Sequence, residues 1–223
     1  MFQFAKEGYP FIITFAAFTA IAGLLRIHWL TAIFVVLTLF MFYFFRDPDR
    51  VTVPDNNAFY SPADGKIIVI TEATEDEILH EKALKISIFM SPLNVHVNRA
   101  PCDGVVREVK HYPGKFFSAF KDEASIVNEH ISMLLENEKH GRIVVKQIAG
   151  YVARRAVCRV GPGDALKQGE RYGIIKFSSR LDIFLPLHTK VKVKLNDKVK
   201  AGETILGTIS KGGFYTRPYK NAL

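Results

Sequence analysis

Two uncharged apolar runs stand almost end to end near the start of this chain, Phe11 to Leu25 and Trp29 to Phe45, separated only by Arg26-Ile27-His28. A gap that short leaves room for a tight turn and little else, so the runs are expected to fold back on each other as a helical hairpin. Apolar residues occupy every side of both runs, which excludes an ordinary surface helix with one wet face. Each run falls somewhat short of the ~20 residues of a straight membrane span, so a tilted hairpin, a shallow re-entrant insertion and a double span all satisfy the pattern. A cleavable signal peptide does not, because the second apolar run follows directly with no small-residue cleavage site before the body. Lys6 before the hairpin and Arg46 and Arg50 after it favour both ends, and the body, on the cytoplasmic side of the cell membrane. Phe44-Phe45-Arg46-Asp47-Pro48 closes the hairpin with interfacial aromatics, charges and a helix-ending proline. The domain boundary is therefore expected at residue 50, with a hairpin over 1–50 and a second domain over 51–223.

Beyond that boundary the period changes. Lys66 to Ile70, Ala83 to Met90, Gly104 to Val109, Ile143 to Ile148, Ala156 to Val160, Tyr172 to Phe177, Leu181 to Leu185 and Val191 to Leu195 read as strands bounded by turn residues. One weak helical period runs from Asp122 to Leu135. The expected fold class is mainly β (α+β), a sandwich or barrel-like domain behind the helical hairpin. An internal echo supports this: Asp164 to Glu170 and Asp197 to Glu203 both read Asp-x-x-x-x-Gly-Glu and both lead into a strand. The pattern resembles the hammerhead turns of lipoyl and biotinyl carrier folds. A carrier would display a lysine between the copies, where this chain has Ser178-Ser179.

With 223 residues and 48% hydrophobic content there is ample chain for one large core. The formal charge of +8 asks for an anionic partner. Its basic residues do not cluster with aromatics into a groove, so a phospholipid surface fits and nucleic acid does not. Cys102 and Cys158 have no paired-cysteine spacing, and the seven histidines lack ligand spacing with cysteines or paired acids, so neither a disulfide framework nor a metal site is expected.

Several polar residues stand where chemistry is conceivable. Asp64 lies on the rigid turn Ser61-Pro62-Ala63-Asp64-Gly65, where plain turn chemistry would also place an acid. His96 sits in the extended, proline-bounded segment Ser91 to Pro101; Arg99, three residues on, suits a phosphate or carboxylate as well as an ordinary salt bridge. His111-Tyr112-Pro113-Gly114-Lys115-Phe116-Phe117 is a basic, aromatic turn that fits a lipid headgroup or an exposed loop. In Phe177-Ser178-Ser179-Arg180-Leu181-Asp182 two hydroxyls interrupt a strand-like run. A serine hydroxyl there could attack the carbonyl before it, and elimination of the resulting ester with loss of ammonia would leave a pyruvoyl ketone.

Taken in order, Phe-Phe-Arg-Asp-Pro after a hydrophobic hairpin, Ser-Pro-Ala-Asp-Gly, Ser-Pro-x-x-Val-His-x-Asn-Arg, Tyr-Pro-Gly-Lys-Phe and Phe-Ser-Ser-Arg-x-Asp resemble the short form of the phosphatidylserine decarboxylase family from about Phe44 to Ile209. The resemblance implies a proenzyme that cuts itself between Ser178 and Ser179. The β chain would be 1–178 and the α chain 179–223, the two remaining associated. Ser179 would become the covalent pyruvoyl cofactor and form a Schiff base with the amine of membrane phosphatidylserine, releasing carbon dioxide and then phosphatidylethanolamine. His96 would be the proton donor and an aid to deprotonating Ser179, Asp64 would orient or polarise a base during self-cleavage, and Arg99 would lie near the headgroup. Ser178 stands where the family usually has glycine. Arg99 stands where longer members have a second histidine, so a relay through that histidine does not transfer. A pyruvoyl decarboxylase of a soluble amino acid and a non-cleaving, membrane-tethered binding domain are the alternatives, and a homo-oligomer is compatible with each.

Overall fold

The computed structural model describes residues 3–114, 128–150, 155–176 and 179–209. Helices α1 (Tyr9–Leu24) and α2 (His28–Phe44) form the expected hairpin, and Arg26 takes a left-handed conformation (φ 56°) in the turn between them. Between the helices the Thr19 and Thr38 hydroxyls meet at 3.1 Å, and the Phe18 and Phe34 rings lie 5.3 Å apart. Leu24, Leu25 and Trp29 at the tip are exposed, as are Ile13, Ile21, Val36 and Leu39 along the shafts. An apolar surface this continuous is unsuited to water and suited to lipid. Lys6–Leu24 is long and apolar enough to cross a membrane, whereas His28–Phe44 is shorter, about 26 Å from end to end at the helical rise.

The remaining elements are strands. An eight-stranded antiparallel sheet contains β2 (Gly65–Glu75), β3 (Glu81–Met90), β5 (Gly104–Tyr112), β6 (His130–Asn137), β7 (Gly141–Ala149), β9 (Ala165–Leu166), β11 (Ser179–Leu185) and β13 (Lys198–Val199), in the order β13-β2-β3-β11-β7-β6-β5-β9. It curls around the main core. Two three-stranded sheets flank it. One joins β1 (Ala58–Tyr60), β14 (Ile205–Thr208) and β12 (Lys190–Val191); the other joins β4 (Val97–Arg99), β10 (Arg171–Ile175) and β8 (Ala156–Cys158). The fold is thus mainly β behind a helical pair, as the sequence pattern implies.

Strand β11 lies between β3 and β7 and is buried throughout. Its period of two divides it between two environments. Leu181, Ile183 and Leu185 join Ile86, Ile88, Met90, Ile143 and Val145 in the main core, and Ser179 belongs to this same alternating set. Arg180, Asp182 and Phe184 point to the other face. There Arg180 Nε meets Asp182 at 2.7 Å, Lys85 Nζ meets it at 3.1 Å, and Arg180 donates to Ser87 Oγ at 2.9 Å. Burial alone would raise the Asp182 pKa, but Arg180 and Lys85 together pull it down, so the carboxylate stays ionised.

Three expectations need correction. The helical period at Asp122 to Leu135 does not survive over its last six residues, which belong to strand β6; residues 122–127 lie outside the described set. Strand β6 pairs on both edges with β5 and β7, and its apolar run is buried on both faces, which obscures the period of two. The strand expected at Val191 to Leu195 is only Lys190–Val191, because a turn with Asn196 at φ 74° follows closely. The one expected at Ala156 to Val160 ends at Cys158.

The repeated turns adopt one geometry. Asp164 accepts the Gly161 N–H and Asp197 the Lys194 N–H, at 2.8 and 2.7 Å, while Gly169 and Gly202 are both left-handed (φ 80° and 72°). The two turns converge on Thr52. A Cβ on Gly169 would fall 1.9 Å from Thr52 Oγ1, so the close approach requires glycine in addition to its positive φ.

Candidate active site

Ser179 opens β11, opposite Met90 on one side and Ala149 on the other. Its side chain is fully buried, and its hydroxyl has the Met90 sulfur as partner at 3.4 Å. A thioether is a weak acceptor, so little holds this hydroxyl back from other chemistry. The Asn98 amide nitrogen reaches the same sulfur at 3.9 Å, and the Gln147 amide donates to Asn98 Oδ1 at 2.8 Å. Gln147 Oε1 is buried with no hydrogen-bond partner among the described residues. Ser179 therefore starts the strand in a buried, partly polar setting formed by Met90, Asn98 and Gln147. Ser178 and Phe177 lie outside the described residues, as do Lys115, Phe116 and Phe117 of the basic aromatic turn.

His96 immediately precedes β4, whose pairing with β10 continues to a hydrogen bond from the Ile175 N–H to the His96 carbonyl at 3.3 Å. This places His96 across from a residue four positions before Ser179. The ring is fully buried. Its Nδ1 lies 3.0 Å from the Asn94 carbonyl, which can only accept, so Nδ1 carries the hydrogen and Nε2 presents a lone pair. That Nε2 has no hydrogen-bond partner among the described residues. Burial is the main reason its pKa falls to about 4; the Asn94 hydrogen bond opposes the fall and the Arg46 charge assists it. At neutral pH the imidazole is uncharged and its free nitrogen can take a proton.

Asp64 is also where the turn signal puts it, and both its oxygens are engaged. Oδ2 accepts from Arg50 at 2.8 Å and Oδ1 from the Ala201 N–H at 2.8 Å. The same turn supports the histidine strand, since the Pro62 carbonyl accepts the Arg99 N–H at 3.0 Å. The Arg99 guanidinium is directed inward: Nη1 donates to the Gly169 carbonyl at 2.9 Å and Nη2 to the Pro48 carbonyl at 3.0 Å, with Asp47 3.6 Å away. It clamps the exit of the hairpin to one of the repeated turns. Asn98 and Ser179 thus meet at the Met90 sulfur, and His96 lies two residues before Asn98 in the same segment, with the Asp64 turn and Arg99 bonded to β4 and its neighbours.

Four residues near this centre carry no role in the sequence reading. Asn94 orients the imidazole, Met90 contacts the Ser179 hydroxyl, and Asn98 and Gln147 form the amide pair. Asn98 is a specified position of the Ser-Pro-x-x-Val-His-x-Asn-Arg run, so that run holds a signal for it, whereas Asn94 falls on an unspecified one. Gln147 sits in a plain strand with no local motif.

Comparison with known proteins agrees with the order of these elements. A family model described as phosphatidylserine decarboxylase matches residues 37–207, from the second half of α2 to the last strand. The chain belongs to the phosphatidylserine decarboxylase family. Relatives named phosphatidylserine decarboxylase proenzyme include one from Desulfotalea psychrophila, 47% identical over 206 residues. Others come from Geotalea uraniireducens, 46% identical over 205 residues, and Geobacter sulfurreducens, 46% identical over 210. In each case the match covers 92% of this chain and 96% of the relative. Family membership makes the chain an enzyme of the decarboxylase class, and Ser179, His96, Asp64 and Arg99 all fall within the matched span.

Proposed function

We propose that this chain decarboxylates phosphatidylserine to phosphatidylethanolamine at a membrane surface, after cutting itself between Ser178 and Ser179. Two separate observations support the reading: a buried Ser179 hydroxyl whose hydrogen-bond partner is the Met90 sulfur, and a neutral, buried histidine whose Nε2 has no hydrogen-bond partner among the described residues. In self-cleavage, Ser179 Oγ forms a bond to the Ser178 carbonyl carbon as the carbon–nitrogen bond breaks, and His96 Nε2 is the base that takes the hydroxyl proton. Loss of the Ser179 α-hydrogen with departure of the ester oxygen releases the 1–178 chain. Hydrolysis then expels ammonia and leaves a pyruvoyl group at the head of the 179–223 chain. Once formed, that group supplies a ketone able to take up the substrate amine and draw electrons from the bond to carbon dioxide.

The remaining roles belong to this chain's own side chains. His96 returns a proton to the carbon that has lost carbon dioxide. The Asn98–Gln147 pair borders the reacting position and helps exclude water from it. Asp64, held by Arg50 and Ala201, keeps the turn beneath β4 rigid. Arg99 fixes the hairpin exit to the body, because its terminal nitrogens are already directed to Gly169, Pro48 and Asp47. Strands on both sides of the cut pair with each other, β11 with β3 and β7, which supports continued association of the two chains after cleavage. The exposed apolar hairpin supports docking at the cytoplasmic membrane, with the body on its cytoplasmic side.

The test is incubation of the purified full chain with vesicles containing carboxyl-labelled phosphatidylserine. Labelled carbon dioxide and an ethanolamine headgroup are expected. Release from free serine alone, with none from vesicles, would replace the lipid substrate by a soluble amino acid.

A further inference from the structure

The apolar hairpin does more than present a surface to lipid. The last residue of α2, Phe44, is fully buried and lies against the His96 ring, with centroids 4.3 Å apart and planes inclined by 35°. The base of the hairpin shares a hydrophobic cluster with the residues on either side of that histidine: Phe44, Phe45 and Met41 pack with Val95, Val97 and Ile174. Polar contacts hold the same junction. Tyr43 Oη donates to the Leu93 carbonyl at 3.1 Å and Arg46 Nη2 to the same oxygen at 2.7 Å, while the Arg46 guanidinium lies 3.8 Å over the Tyr43 ring. Leu93 directly precedes Asn94, whose carbonyl sets the imidazole orientation. The hairpin thus grips both the face of the catalytic ring and the turn that aims it.

We propose that the final turn of the hairpin is a wall of the active site, with Phe44 the positioning residue that fixes the His96 imidazole and keeps water from its free nitrogen. The inference rests on the role given to His96 above. It makes the membrane-contacting element part of the catalytic assembly, so the hairpin is required even when membrane contact is not. Arg46 is the charged group that bears on the imidazole from this element; the β4 and β10 neighbours Val95, Val97 and Ile174 are apolar. With Phe44 in place the ring is dry. Without it, water reaches Nε2 and the histidine moves back toward its ordinary titration range.

The experiment uses the full chain in detergent, so that vesicle binding plays no part. Histidine-labelled Ser179→Ala protein, which cannot cleave, is titrated by NMR with and without Phe44→Ala, and His96→Ala identifies the resonance. In parallel, the rate of self-cleavage is followed in chains retaining Ser179. Phe44→Ala is expected to raise the His96 midpoint by about one pH unit or more and to slow cleavage roughly tenfold or more. Phe44→Leu, which keeps most of the packing, is expected to shift it in the same direction by less and serves if the alanine variant does not fold. Phe40→Ala removes a ring one turn earlier, 6.0 Å from Phe44, and is expected to leave the His96 midpoint unchanged. Unchanged titration and cleavage in the folded Phe44 variants, with His96→Ala inactive, would overturn the wall while leaving the role of His96 intact. Normal cleavage in His96→Ala would instead remove the reading on which the wall depends.

Discussion

Acidification should unfold this protein in part through one residue. The ordinary histidine pKa of 6.5 falls to about 4 at His96 because burial penalises the imidazolium. The unfolded chain therefore binds a proton at this site between those values while the folded chain does not, and stability must decline as pH falls through that window. Above about 6.5 both states are neutral; below about 4 both are charged and the loss levels off. The interval corresponds to about 3 kcal/mol, a large share of a typical domain's stability. The comparison is between Ser179→Ala and Ser179→Ala/His96→Leu in mild detergent, each unfolded by urea at several pH values from 7 to 4. His140 is also lowered by burial, and other groups titrate in the same range, but they are common to both proteins and cancel in the difference. The stability gap between the two proteins should change by about 3 kcal/mol across the window, with the leucine variant declining less. Parallel curves would refute the argument, because they would mean that His96 titrates in the folded chain as it does in the unfolded one.

Two further outcomes follow from the buried charges. Asp64→Ala leaves the buried Arg50 guanidinium with the half-exposed Glu203 at 3.6 Å as its remaining carboxylate and should cost about 3 kcal/mol in chemical denaturation, with self-cleavage slowed because the turn beneath β4 loosens. Glu77 accepts from His130 at 3.0 Å, Ser132 at 2.9 Å and Lys146, and although burial opposes ionisation these bonds hold its pKa near 2, to which it falls from 4.5. Glu77→Leu should lower the thermal midpoint markedly, and the Glu77/Lys146 double replacement by leucine should recover much of the loss, since removing both partners avoids an uncompensated buried charge.

What was legible in the sequence had a local cause. The two apolar runs and their short spacer specify a helical hairpin, and the Asp-x-x-x-x-Gly-Glu repeats specify turns whose glycines are left-handed and whose acids cap nearby N–H groups. The alternation through Ser179, Leu181 and Ile183 identifies β11, and its fully buried setting explains how Arg180 and Asp182 can stand in it: they neutralise one another on the far face. The β6 run lacks the alternation that marks a strand because it is buried on both faces. The site shows the same division. Asp64, His96 and Arg99 lie in turn and extended motifs with recognisable composition, but the contacts that define their work are long-range. Nothing near Arg99 in sequence announces Gly169 and Pro48 as its partners, and nothing near His96 announces Phe44 across fifty-one intervening positions. Gln147 acquires meaning only when β7 and β4 are brought together.

The central claim is that Ser179 is consumed to make the catalytic group, and denaturing mass spectrometry of the purified full chain tests it most directly. Two chains are expected, 1–178 with an ordinary carboxyl end and 179–223 beginning with a pyruvoyl group, and the Ser179→Ala variant should remain whole. A single intact chain with unmodified Ser179, from a preparation that releases carbon dioxide from phosphatidylserine, would contradict it.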